Sequence, residues 1–423
     1  MVRLVSENIG DLDPLLLEVR GRLLQERESS EPPRVHAGPS PWAMIRLGGG
    51  RPKVSTAFIS DRSFDDPMAG VAGYVAVNSL GLGHAARAVA IAKELVRRHP
   101  DLYLFFLAGS PALDLAIASG FDAMPLPPTP EWFHERGEIV SMGRWYREYA
   151  KYLRVTGRFL RREADWERFR FLISDGEMAS VREGVRHHVP TVALVHSIGQ
   201  TFAADPVTRT VERFGRWWMR SILSRPRVRV LGLEAGIDLP HARYVGPIVR
   251  PFSKDRATLR EDLVFLKKTV LVAPGGTSVG GFLIDEAVKA WTALDLPDAQ
   301  MIVVSGPKLK PKPVPRVYYK GFVPNLQDYV LAADLVITMA GKGTMMEALA
   351  AGTPVIAIPP KGHAEAERNL RAFGLRYRFE DAFRLRELIP ELLSVVRSSP
   401  MDLGPGKAVD EIDAFLRGQG VFA

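Results

Sequence analysis

The residues of this chain best equipped for chemistry lie in short stretches beside glycines. The first is Gly341-Lys342-Gly343-Thr344 with Glu347. A short apolar run rich in β-branched residues, 335–338, precedes it. A helical stretch, 344–351, follows it and is closed by Gly352 and Pro354. A glycine loop between strand and helix offers free N–H groups and the positive end of the helix dipole. Such a place suits an anion, most naturally a diphosphate. Lys342 adds a mobile point charge. Glu347, about one turn further in, is a poor ligand for phosphate but accepts two hydroxyl hydrogens well, so a ribose is its natural partner. The same residues also read as a buried glycine turn with a solvated lysine and glutamate.

A second stretch, Ser79-Leu80-Gly81-Leu82-Gly83-His84-Ala85-Ala86-Arg87, follows an apolar strand. Gly81, Gly83 and Ala86 satisfy the G-x-G-x-x-A pattern of dinucleotide binding. That pattern also needs an acidic residue at the end of the next strand, and here that strand ends Leu107-Ala108-Gly109-Ser110. The other reading gives His84 the proton chemistry, because an imidazole titrating near neutrality can take a proton from an attacking hydroxyl. A helix-starting histidine bonded to backbone is the bland alternative, as a structural salt bridge is for Arg87. Two carboxylates, Asp175 and Glu177, stand at the end of another strand. Asp175 could orient His84, Glu177 could itself be the base, or Asp175 could simply cap the next helix. Finally, Gly275-Gly276-Thr277 runs out of a strand and offers amides and hydroxyls to phosphate oxygens.

These residues together resemble a known group. Ala333, Asp334, Gly341, Gly343, Thr344, Glu347, Gly352 and Pro354 match the donor-side motif of GT-B glycosyltransferases that use nucleotide-diphosphate sugars. That group includes the N-acetylglucosaminyltransferase of peptidoglycan lipid-intermediate synthesis, galactolipid synthases and archaeal relatives of both. Gly81, Gly83, His84 and Arg87 resemble its G-x-G-H-x-x-R loop. The resemblance implies that Glu347 holds the ribose and that the amides of Gly341–Thr344 and of Gly275, Gly276 and Thr277 hold phosphate. Backbone at Phe322 and Val323 would cradle the base, uracil being the family's default. His363 and Glu365 would stand at the donor sugar, where the family carries a Glu-Gln or Gln-Gln pair. Here Ala366 occupies the place of the expected Gln, which leaves the sugar open. The implied reaction moves a sugar to a hydroxyl of a lipid or lipid-linked acceptor, with inversion, without a metal or other cofactor, in a cleft that closes on the donor. Two alternatives stay open: a non-transferring relative such as a UDP-N-acetylglucosamine 2-epimerase, and a catalytically silent nucleotide-sugar binding protein.

The elements that must position these groups read as α/β. From residue 71 short apolar strands alternate with helices, as in parallel sheets covered on both faces. The pattern pauses at 244–251, a Gly/Pro segment resembling an interdomain linker, and then resumes. The expected architecture is GT-B: two doubly wound Rossmann-like domains facing a cleft, plus an N-terminal extension. The expected divisions are 1–69 for the extension, 70–246 for the acceptor side, 247–405 for the nucleotide-sugar side, and 406–423 for a helix that in the family returns to the first domain. Residues 131–169 form a polar and aromatic section without an assigned element. Asp11 and Asp13 make a D-x-D with no strand before it, and no metal is expected.

Composition narrows the partners. A chain of 423 residues with 46% hydrophobic and 25% charged residues is an ordinary globular protein of two or three domains. With no cysteine it has no disulfide, thiolate nucleophile or cysteine-ligated zinc. No run approaches ~18 apolar residues, and no charged-then-apolar leader opens the sequence. The net charge of +8 is uneven. Residues 144–170 carry nine Arg or Lys against four acids, and 209–229 seven Arg against Glu212, both interleaved with aromatics. Basic, aromatic helices of this kind sit at the headgroups of anionic membranes. No nucleic-acid module is recognisable. The expected placement is cytoplasmic, with peripheral membrane contact through the acceptor side.

Overall fold

The computed structural model describes residues 71–196, 198, 206–234 and 236–422, without the side chains of 206–208, 364 and 365. The extension expected over 1–69, with Asp11 and Asp13, lies outside the described residues.

Strand β1 (Ala72–Val77) leads to helix α1 (Gly83–Arg98), then β2 (Tyr103–Ala108), α2 (Ala112–Ala118) and β3 (Asp122–Pro125). The unassigned polar section resolves into a small antiparallel hairpin, β4 (His134–Glu135) and β5 (Glu138–Ile139), and the long helix α3 (Met142–Glu163). Next come β6 (Phe171–Asp175), α4 (Met178–Arg186), β7 (Thr191–Val195), α5 (Pro206–Leu223), β8 (Val228–Gly232) and β9 (Ala242–Tyr244). The second half runs α6 (Arg256–Asp262), β10 (Lys268–Val272), α7 (Gly281–Thr292), β11 (Ala299–Val304), β12 (Val317–Lys320), α8 (Leu326–Ala332) and β13 (Leu335–Met339). It continues with α9 (Lys342–Ala351), β14 (Val355–Ile358), α10 (Ala364–Ala372), α11 (Leu385–Leu393) and α12 (Gly406–Gly418).

The strands form two parallel sheets, both inside one compact unit, Ile59–Ala423. The first has the order β3-β2-β1-β6-β7-β8-β9 and the second β12-β11-β10-β13-β14. Each reverses its winding once, between β1 and β6 and between β10 and β13. A crevice opens beyond the carboxyl ends of the strands at such a reversal, and ligands bind there. This is the arrangement expected of two doubly wound units. Strands such as β1, β6 and β13 are buried along their whole length, which explains why they read as unbroken apolar runs.

Helix α12 packs away from the second sheet. Val409, Ile412, Phe415 and Leu416 share one apolar core with Val75, Ile91 and Leu95 of the first half. Arg98 and His99 at the end of α1 reach Asp410 (2.6 Å) and Asp413 (2.9 Å) of α12. In the second half, Asp334 accepts from the Thr269 amide (2.8 Å) and pairs with Arg256 and Arg260. The acidic residue of the donor-side motif therefore ties β13 to the start of β10 at the end remote from the crevice.

Candidate active site

Both winding reversals point into the same cavity, of about 290 Å³. From the first half the loop Leu80–His84 enters, and from the second the loops 274–277 and 340–344. Contact between the halves is close enough to demand glycine. A Cβ on Gly276 would stand 2.8 Å from the Leu82 side chain and 2.9 Å from its amide nitrogen, and one on Gly343 would lie 3.3 Å from the Gly83 Cα. Gly81 (φ 85°) and Gly275 (φ 104°) turn their loops in the left-handed region that favours glycine.

His84 lies in the first turn of α1 and Asp175 at the end of β6, brought together because β1 and β6 are neighbours with Val77 beside Asp175. His84 Nδ1 is 2.8 Å from Asp175 Oδ1. Arg87, one turn along α1, grips the same carboxylate with two bonds, Nε to Oδ2 at 2.7 Å and Nη2 to Oδ1 at 2.6 Å. Burial alone would raise the Asp175 carboxyl, but the Arg87 guanidinium and His84 hold it below the usual carboxylate range. An ionised Asp175 keeps the proton on Nδ1 and leaves Nε2 as the basic nitrogen. Gly176 (φ 70°) makes room for the ring, since a Cβ there would stand 2.8 Å from His84 Cε1.

Glu177 does not take the expected place among the reactive groups. It is fully buried and caps α4, accepting from the Ala179 amide at 2.9 Å, and the Tyr152 hydroxyl donates to its other oxygen. The capping expected of Asp175 thus falls to Glu177. Burial pushes the Glu177 carboxyl up to about 7.

In the second half, Glu347 is buried one turn into α9, where burial raises its carboxyl against the pull of Arg250. Arg250 Nη2 reaches it at 3.0 Å and Nη1 donates to the Pro324 carbonyl. Lys342 reaches across the cleft to Glu234 and His196, lying 3.2 Å from His196 Nδ1. Burial, followed by the cations Arg87 and Lys342, holds His196 well below its ordinary value and so neutral. Gly275, Gly276, Thr277, Phe322, Val323, Gly341, Gly343, Thr344 and His363 all line the cavity. His363 also caps α10, accepting from the Ala366 amide at 3.1 Å. Glu365 falls on α10, and its side chain lies outside the described residues. Sequence reasoning missed Arg250, His196, Glu234 and Trp132. His196 had a signal, because it directly follows strand β7; Arg250 lay hidden in a Gly/Pro segment read as a linker.

The basic segments differ from each other. Trp145 and Tyr152 of α3 turn inward and leave Arg147, Arg154 and Arg158 outside. On α5, Phe214 and Trp217 are 66% and 62% exposed, beside exposed Arg213 and Arg220. The two helices are joined where the Tyr146 hydroxyl donates to Glu212 at 2.7 Å. Among the described residues no helix is long and apolar enough to cross a membrane, and no group of three or more His, Asp or Glu is arranged to hold a metal ion.

Residues 269–375 match the Glycosyltransferase family 28 C-terminal domain. An uncharacterized glycosyltransferase of Methanosarcina acetivorans is 26% identical over 315 residues, 68% of this chain and 78% of that protein. A UDP-N-acetylglucosamine–N-acetylmuramyl-(pentapeptide) pyrophosphoryl-undecaprenol N-acetylglucosamine transferase of Leifsonia xyli is 26% identical over 302 residues, with the same coverage of both chains. Among solved structures, the calicheamicin glycosyltransferase CalG4 aligns with a TM-score of 0.54 at 16% identity, over 82% of this chain and 99% of its own. The spinosyn rhamnosyltransferase SpnG in complex with thymidine diphosphate aligns at 0.53 and 18% identity, over 81% and 96%.

Proposed function

The chain is a glycosyltransferase of GT-B architecture that carries a family 28 C-terminal domain, and from that premise we propose that it moves a sugar from a UDP-linked donor to a hydroxyl of a lipid-linked acceptor. One observation carries this reading. A histidine oriented by a buried Asp–Arg pair stands at one winding reversal and faces the glycine loop and helix N-terminus of the other.

The diphosphate lies against the amides of Gly341–Thr344 and of Gly276 and Thr277, with the ribose at Glu347. His84 Nε2 takes the acceptor's hydroxyl proton as that oxygen bonds to the anomeric carbon. The bond from carbon to the diphosphate oxygen breaks on the opposite face, giving inversion. Asp175 stabilises the imidazolium, and Arg87 keeps Asp175 ionised and in place. Charge on the leaving diphosphate is met by fixed amides and the α9 dipole, a preorganised environment of the kind that usually contributes most to catalysis. The lipid acceptor is supported by the basic α3 and by the exposed Phe214 and Trp217 of α5, which suit peripheral contact with an anionic bilayer.

The test combines calorimetric titration with UDP-, GDP- and TDP-sugars and transfer of labelled sugar to a membrane lipid extract. UDP-sugars bind, and label enters the organic phase. Glu347→Ala weakens UDP binding at least tenfold. His84→Ala leaves UDP affinity within twofold and lowers transfer at least a hundredfold. Unchanged UDP binding in the first variant, or unchanged transfer in the second, overturns the assignment of that residue.

A further inference from the structure

The hairpin between β3 and α3 belongs by chain order to the first half, yet it is fastened to the second. Its turn, Gly137 (φ 82°), lies against two rings: a Cβ there would stand 3.1 Å from both Phe282 and Phe379. The Ile139 amide donates to the Lys361 carbonyl and the Lys361 amide to the Gly137 carbonyl, each at 3.0 Å. Glu138 pairs with Lys361 at 2.9 Å. Just before the hairpin, Glu131 accepts from Ser278 Oγ at 2.7 Å and pairs with Lys308, while His134 Nε2 lies 2.9 Å from the same Ser278 Oγ. Polar bonds, two ion pairs and an aromatic seat thus hold one short segment across the cleft.

The inner side of this segment forms a wall of the cavity. Trp132 and Ile139 both line it, next to Pro360 and His363. Trp132 is backed by Trp145, stacked at 4.4 Å, with Tyr149 stacked behind that at 5.0 Å, and its ring meets His363 edge-on at 5.6 Å. A column of rings anchored in α3 supports it.

The cavity's other parts have occupants under the proposed function, on which this step rests. Phe322, Val323 and Leu326 line one part, with Glu347 and Arg250 beside them, which takes the nucleoside. The glycine loops take the diphosphate. The glycosyl group is left with the remaining part, walled by Trp132, Ile139, Pro360 and His363. On α10, Ala366 offers a methyl group to this cavity and no hydrogen bond to a hydroxyl. An aromatic face complements the C–H face of a hexose ring and binds it with little loss of side-chain freedom, since an indole has only two rotatable side-chain bonds. We infer that the donor-sugar subsite is built jointly by both halves, that Trp132 is the surface on which the transferred hexose stacks, and that the hairpin 133–139 holds it there.

The experiment compares the dissociation constants of UDP, UDP-glucose and UDP-N-acetylglucosamine by calorimetry for the full chain and for Trp132→Ala, Trp132→Phe and Gly137→Leu. In the unaltered chain the better of the two UDP-sugars binds more tightly than UDP. Trp132→Ala weakens that UDP-sugar at least tenfold while UDP stays within twofold, which also shows that the variant is folded. Trp132→Phe keeps most of the sugar-dependent gain. Gly137→Leu leaves Trp132 intact but lifts the turn off Phe282 and Phe379, and it loses sugar affinity in the same direction with UDP unchanged. Equal effects on UDP and UDP-sugar, or no effect on either, overturn the inference while leaving the proposed function standing. An unaltered chain that binds neither UDP nor a UDP-sugar removes the premise and the inference together.

Discussion

Asp175 and Glu177 are two residues apart, both fully buried, and opposite in electrostatic character. Asp175 meets the Arg87 guanidinium and the His84 imidazole and is held ionised; Glu177 meets a hydroxyl, an amide and the apolar interior, and its carboxyl rises to about 7. An ordinary carboxyl, as in the unfolded chain, titrates near 4.5, so folding favours the protonated form of Glu177. Its contribution to stability is full below pH about 4.5 and is lost as the pH rises through about 7, amounting to up to about 3 kcal/mol. Glu177→Gln keeps the shape and both hydrogen bonds, the amide oxygen accepting from Ala179 and the amide nitrogen donating to Tyr152. The variant is therefore expected to be more stable than the parent at pH 8 and close to it at pH 5, as measured by urea denaturation at the two values. A parent whose stability is flat from pH 5 to 8 would remove this account of Glu177. The sequence placed both carboxylates at a strand end but could not divide their roles. The division comes from the left-handed Gly176, which leaves Asp175 in line with β1 and swings Glu177 back over the helix that follows.

Elements with one dominant periodicity were legible, and elements defined by partners elsewhere in the chain were not. Strand β13 and helix α9 follow from an apolar run, a glycine loop and a terminating Gly352 at φ 67°. The hairpin β4–β5 has two residues in each strand and no alternation to read; it exists because Lys361 and two phenylalanines of the other half receive it. The same limit applies to α3 and α5, which look alike as basic, aromatic sequences. Packing turns the aromatics of α3 inward, whereas α5 keeps Phe214 and Trp217 outside. The bilayer contact proposed above therefore rests on the exposed pair of α5 more than on α3. The double variant Phe214→Ala, Trp217→Ala is expected to lose most of its cosedimentation with vesicles containing phosphatidylglycerol, at least fivefold in partition. Activity on a short, water-soluble acceptor is expected to stay unchanged. Equal sedimentation of parent and variant would show that the basic residues suffice without the aromatic pair.

At the scale of the molecule, the fold reads as two alternating series separated by a Gly/Pro segment, and the parallel pairing of the sheets follows from that alternation. What the series could not reveal is how closely the halves meet, since the contacts of Gly276 with Leu82 and of Gly343 with Gly83 involve backbone brought together only by the fold. The reach of α12 back into the first half has a measurable cost. Val409, Ile412, Phe415 and Leu416 together bury roughly 6–12 kcal/mol of apolar side chain, at about 1.5–3 kcal/mol each, which is comparable with the whole stability of a typical domain. Removing residues 406–423 is therefore expected to unfold the first half at room temperature. Circular dichroism and limited proteolysis around β1 and α1 would report it, and a truncated chain that resists protease as the parent does would contradict it. In a cell, 312 residues separate Arg98 from its partner Asp410. A ribosome therefore releases the first sheet with one side of α1 still bare, and that side stays open until α12 has been translated. Until α12 has emerged the nascent chain carries an exposed apolar trough, and that helix decides whether the first half becomes a finished structure.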